Sequence, residues 1–141
     1  MAIIQTQCTI FKQKCLSGLE NFASGTSYTY KIALYTANAT LNEDTIAYST
    51  TNEVSGTGYT AGGEALVIIP PASSGSTAYV SFNTVTWPLA SGFTARGALI
   101  YNSTTGSAVA VLNFGSDKIA VNGFTITFPT ADSSNAIIRI S

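Results

Sequence analysis

The chain has 141 residues, of which 9% are charged, none is histidine, and the formal net charge is −1. Soluble domains carry about 25% Asp, Glu, Lys and Arg, and charge is what keeps a free protein soluble and monomeric. The composition therefore points to a component of a larger assembly and away from an enzyme. Ser-His and Cys-His nucleophiles are excluded outright.

The length suits one domain with a real core. Ser and Thr together supply 36 residues, which with Val, Ile, Tyr and Phe makes a β-prone mixture. The six Lys and Arg residues are scattered singly. No basic patch exists to neutralise phosphates, so neither nucleic acid nor an anionic membrane is an expected partner.

The chain opens on an apolar stretch, 1–4, which lacks a basic start and is cut off by Gln5, Thr6 and Gln7. It reads as an N-terminal arm, 1–6, rather than a secretory signal. Folding in a reducing cytoplasm is the corresponding expectation. Cys8, Phe11, Cys15, Leu16, Leu19 and Phe22 recur at three- and four-residue steps. This spacing predicts an amphipathic helix over 7–23, with Thr6 as N-cap and Ser24-Gly25 as stop. On such a helix Cys8 and Cys15 lie about 10 Å apart along the axis, too far to be bridged, so both are expected as free thiols.

Beyond Gly25 the helical period disappears. Residues 28–35 alternate, with Tyr28, Tyr30, Ile32 and Leu34 on one face, as in a half-buried strand. Further short strands are expected at 45–49, 64–69, 77–87, 93–101, 107–114, 123–128 and 136–140, with Pro70-Pro71 stopping the second of these. Gly, Pro, Ser and Asn separate them, and no segment could serve as a crossover helix. The prediction is a mainly β chain: one antiparallel β-sandwich over 26–141, jelly-roll or Ig-like, preceded by one α-helix.

Several motifs invite functional readings. Gly56-Thr57-Gly58-Tyr59-Thr60-Ala61 fits a dinucleotide fingerprint in letters. The fingerprint works only between a strand and a helix, and here a β-like run comes next. A glycine-rich loop with special backbone angles is the better account. Asn42-Glu43-Asp44 offers oxygens but not EF-hand spacing, so no metal and no cofactor is expected. Asn38-Ala39-Thr40 and Asn102-Ser103-Thr104 match a glycosylation sequon by chance in a Thr-rich chain. Trp87 before Pro88 reads as core packing or a loop anchor. Arg96 stands alone in an uncharged strand and must find a partner in the chain or on a neighbour.

Two stretches carry a resemblance. Glu53-Val54-Ser55-Gly56-Thr57-Gly58-Tyr59-Thr60-Ala61-Gly62-Gly63 comes after the strand-like Lys31-Ile32-Ala33-Leu34-Tyr35. Phe93-Thr94-Ala95-Arg96-Gly97-Ala98-Leu99-Ile100-Tyr101-Asn102 precedes Ala108-Val109-Ala110-Val111-Leu112-Asn113-Phe114-Gly115. With Phe124-Thr125-Ile126-Thr127-Phe128-Pro129 and Asn135-Ala136-Ile137-Ile138-Arg139-Ile140, the order resembles that of small structural proteins of tailed bacteriophages. The resemblance implies a virion component, assembled in the host cytoplasm, that binds other virion proteins and forms a homo-oligomer. A capsid decoration (cement) protein is the leading expectation. The alternatives are a tail component (adaptor, nozzle, baseplate or fibre subunit) or a receptor- or glycan-binding head domain to which Tyr48, Tyr59 and Tyr79 contribute. The resemblance brings no catalytic residues. Ile3, Ile4 and Phe11 are the candidate N-terminal anchor, and Tyr59 and Arg96 are further candidate inter-subunit contacts.

Overall fold

A computed structural model describes residues 2–141; Met1, the first residue of the expected arm, lies outside the described residues. The protein is mainly β, built from antiparallel sheets with one short helix, as the turn-punctuated pattern predicts. In chain order the elements are β1 (Thr6–Gln7), α1 (Thr9–Leu16), β2 (Tyr30–Tyr35), β3 (Glu64–Ala65), β4 (Ile68–Ser74), β5 (Thr77–Phe82), β6 (Val85–Trp87), β7 (Thr94–Asn102), β8 (Ala108–Ile119), β9 (Phe124–Ile126) and β10 (Ile138–Ile140). A five-stranded sheet runs β1-β8-β7-β2-β3, a three-stranded sheet β10-β5-β4, and β6 pairs with β9.

The arm is part of the large sheet. Thr6 and Gln7 pair antiparallel with Val111 and Ala110, and Ile3 bridges Leu41. Thr6 is therefore a strand residue, and the N-cap position of α1 falls to Cys8, which makes no side-chain capping bond.

The helix is eight residues long, not the seventeen its periodicity suggests. Gly18 takes φ +72°, a left-handed turn that glycine enters at little cost. Leu19 N–H then bonds the Lys14 carbonyl at 2.9 Å and Gly18 N–H bonds that of Cys15 at 3.3 Å. These two bonds satisfy the last helical carbonyls and end the helix. Of the predicted apolar stripe, Cys8, Phe11 and Phe22 are buried, whereas Leu16 is 92% exposed.

The central strands are buried on both faces. On β2, Tyr30, Ile32 and Leu34 are buried, but so are Ala33 and Tyr35. One face meets an aromatic chain: Phe22 stacks on Tyr30 at 4.4 Å and meets Phe82 of β5 edge-on, and Phe82 meets Phe128. Such pairs add about 0.5–1.5 kcal/mol beyond burial. The other face lies under the irregular segment 36–63. There the Tyr35 hydroxyl donates to the Ser49 carbonyl at 2.6 Å, and Tyr48 stacks on Tyr101 at 4.7 Å.

Several strand boundaries differ from expectation. The expected strand 77–87 divides into β5 and β6, which belong to different sheets. Residues 45–49 contribute only an isolated bridge, Ala47 to Ser107. Residues 64–69 divide into β3 and the start of β4, and β4 runs on through Pro70 and Pro71. It is an edge strand whose register shifts between Ile69 and Ala72, where proline costs no ladder bond. β8 extends to Ile119, because extra residues around Gly115 are accommodated between the Gly97–Asn113 and Ala95–Lys118 pairs.

Candidate functional site

The glycine-rich motif forms a clasp along the outer edge of β2. Leu66 N–H bonds the Tyr30 carbonyl, Glu64 pairs with Ile32, Val54 N–H bonds the Leu34 carbonyl, and Thr36 N–H bonds the Asn52 carbonyl. Segments 52–54 and 64–66 thus act as two halves of one interrupted edge strand, and residues 55–63 make an excursion between them. Where the excursion leaves, Leu34 N–H has no backbone partner, and the Tyr59 hydroxyl oxygen accepts its hydrogen bond at 2.9 Å.

Glu53 holds this arrangement. Its Oε2 accepts from the Tyr59 hydroxyl and from Gly62 N–H at 2.8 Å, while Oε1 accepts from the Tyr48 hydroxyl at 2.6 Å. Tyr101 donates to the Gly62 carbonyl at 2.7 Å. Burial, then the Glu53 hydrogen bond, push the Tyr48 and Tyr59 phenols well above their ordinary pKa. Both remain neutral donors at physiological pH. Gly63 closes the excursion: with φ +80° it lies so near β2 that a Cβ would fall 1.8 Å from the Ile32 carbonyl oxygen. The motif letters therefore encode a backbone lock, with no helix N-terminus behind them to receive a phosphate.

The candidate contact residues separate into two groups. Ile3 is buried, with its carbonyl accepting from the Asn113 side chain at 3.0 Å. Phe11 is buried and meets Phe22. Tyr59 turns inward, packing near Trp87 and Phe93. These three hold the fold, because their apolar surface is taken by the chain itself. Ile4 is half exposed. Arg96 pairs within the chain, its Nε donating to Asp117 Oδ1 at 2.9 Å between partly exposed side chains. The extension of β8 brings Asp117 there. Tyr48, like Tyr59, directs its hydroxyl to Glu53 rather than to a ligand-facing loop.

What sequence reasoning missed is an apolar end. Leu89 is 76%, Ile119 68% and Val121 63% exposed. The backbone gathers their segments: Gly92 N–H bonds the Ala120 carbonyl, Gly123 N–H bonds that of Ala90, and Thr57 bridges Ser91. Beneath them Trp87, Phe93 and Phe124 pack together. The signal is one apolar residue in each of two turns, Leu89 and Val121, and one at the end of β8, Ile119, which periodicity cannot register. A second apolar feature is a cavity of about 110 Å³ between α1 and the small sheet, lined by Phe11, Cys15, Phe22, Val80 and Ile138. Both cysteines are free thiols; burial pushes Cys8 up to about 11 and also raises Cys15, next to which Glu20 adds to the effect.

Glu20 is a second carboxylate engaged by tyrosine and amide groups. Its Oε1 accepts from the Tyr30 hydroxyl at 3.0 Å and from the Asn102 side chain at 2.9 Å. Its Oε2 is buried with no partner among the described residues. Among the described residues, no three His, Cys, Asp or Glu side chains form a group able to hold a metal, and no helix is long and apolar enough to cross a membrane. Searches of family models, curated proteins and solved structures return no match to this chain.

Proposed function

We propose that this chain is a structural component of a tailed-bacteriophage virion, acting as a capsid decoration protein through protein–protein contacts. The observation that carries the reading is the apolar end formed by Leu89, Ile119 and Val121 on a chain with very few charges. Exposed apolar groups carried on neighbouring segments suit contact with a partner, and sparse charge gives little protection against association. The order of motifs resembling phage structural proteins supplies the kind of assembly. Both Glu53 oxygens and Glu20 Oε1 are engaged by tyrosine hydroxyls and amides in support of the fold, which favours a binding role over chemistry.

Copy number tests it. Quantitative mass spectrometry of purified particles of the encoding phage should find hundreds of copies per virion. Six, twelve or a small multiple would move the protein to the tail, and its absence from particles would end the virion reading.

A further inference from the structure

The turn that carries Val121 also carries the only Asn-Gly pair in the sequence, Asn122-Gly123. Asparagine is a thermolabile residue, and a following glycine exposes it most. With no Cβ, glycine leaves its backbone nitrogen open to the side-chain amide before it. Asn122 is exposed, and the fold anchors the backbone on both sides of it. Ala120 N–H bonds the Phe93 carbonyl and Gly123 N–H bonds the Ala90 carbonyl, each at 2.9 Å. Phe124 pairs with Trp87 in the β6–β9 ladder. Gly123 takes φ +105°, and a Cβ there would meet the Trp87 and Pro88 carbonyl oxygens at 3.4 Å. The nitrogen that could react is thus engaged, while the side chain it would attack lies in solvent. Asn102 is the opposite case, fully buried with its amide bonded to Glu20.

We propose that Asn122 is a site of spontaneous deamidation, gated by the Gly123–Ala90 hydrogen bond, and that the reaction turns the apolar end acidic. When that bond opens, hydroxide takes the Gly123 N–H proton and the nitrogen attacks Asn122 Cγ. The N–Cγ bond forms, the Cγ–Nδ2 bond breaks, and ammonia leaves with a proton from water, which restores the hydroxide. Water then opens the succinimide ring at either carbonyl, giving aspartate or isoaspartate. No oxidant or reductant enters. Both products place a new carboxylate next to Val121, and isoaspartate adds one carbon to the backbone of the turn. A partner covering this end would have to desolvate the new charge. The chain therefore carries a slow, one-way route to spoiling its own apolar surface, and the closed Gly123 bond delays it.

Incubation of the purified chain at mildly alkaline pH and physiological temperature, folded and in parallel unfolded in guanidinium chloride, decides the matter. Peptide mapping by mass spectrometry, with isoaspartate detection, follows every asparagine. In the folded chain Asn122 should convert ahead of all the others, at a rate that rises with hydroxide concentration. It should convert about 10-fold or more slowly than in the unfolded chain, as expected for an amide that reacts only through local opening. Amide hydrogen exchange should find the Gly123 N–H protected, and Asn122→Gln should remove the first acidic species to accumulate. Earlier conversion at another asparagine overturns the proposal. So does an intact Asn122 after the folded chain has been held about 100-fold longer than the unfolded chain needs. Equal rates in the folded and unfolded chains, or an unprotected Gly123 amide, overturn the gate. Because the measurement uses the isolated chain, its outcome is separate from the copy-number test.

Discussion

Ile3 occupies the space where Gly97 has no side chain. A Cβ on Gly97 would fall 2.8 Å from Ile3 Cγ2 and 2.5 Å from the Leu112 carbonyl oxygen. The absent side chain in the central strand makes the seat for the arm. Gly97→Ala should lower stability by about 1–3 kcal/mol, the usual cost of overpacking, seen as a lower urea midpoint. Ile3→Ala should cost about 2 kcal/mol or more alone, and less in the Gly97→Ala background, because the clash it relieves offsets part of the loss. Strict additivity in that double-mutant cycle would show that the two residues do not share a seat.

The apolar end should be dispensable for folding and needed for assembly. Exposed positions away from special features change stability by about 0.5 kcal/mol or less. Leu89→Ser, Ile119→Ser and Val121→Ser, singly and together, should leave the melting temperature near that of the parent. Incorporation into particles, measured against parent chain in a competition, should fall with each added serine. Full incorporation of the triple variant would remove the observation on which the proposed function stands.

Glu20 should make the protein more stable in mild acid than near neutrality. Burial raises its pKa above the ordinary 4.5, while its hydrogen bonds with Asn102 and Tyr30 and the charge of Lys14 pull the other way. A carboxyl raised in the folded state holds its proton better there than in the unfolded chain. Its contribution is therefore fully present below 4.5 and is lost as pH climbs through the raised value. Urea midpoints of the parent minus those of Glu20→Gln, taken across this range, should decline as pH rises. A flat difference would mean that Glu20 titrates alike folded and unfolded.

Arg96 and Asp117 form a partly exposed ion pair, and such pairs contribute about 0–1 kcal/mol. Arg96→Ala should shift stability within that range, and the shift should shrink in high salt. Incorporation into particles should be unchanged. A marked loss of incorporation without a stability change would return Arg96 to the inter-subunit role that its isolation in the sequence suggests.

The strands were legible where burial obeys a local pattern. The alternation of 28–35 and the apolar runs around Leu99 and Val109 mark the central strands because side chains there answer to their immediate neighbours. The helix was over-extended because Leu16, Leu19 and Phe22 keep a helical period that Gly18 breaks; one left-handed residue outweighs the periodicity around it. β4 was cut short at Pro70-Pro71 because proline stops only strands paired on both sides. At the site, the β-like run after Gly63 was enough to exclude the dinucleotide fingerprint, but no local pattern marks the meeting of Glu53 and Tyr59. Their contact depends on where β2 runs, a tertiary fact that loop spacing does not carry. Phe11 and Ile3 read as candidates for an N-terminal anchor, but both are buried within the chain, because the arm joins β8.

The arm's place on β8 also sets the order in which the fold can be completed. Ile3 and its Asn113 partner are separated by 110 residues of chain. On the ribosome, Thr6 and Gln7 are made long before Ala110 and Val111 exist, and they stay unpaired until β8 has emerged. Closing so large a loop is slow compared with forming local contacts. The arm is made 110 residues ahead of its partner Asn113, so it stays unpaired on the nascent chain until β8 follows.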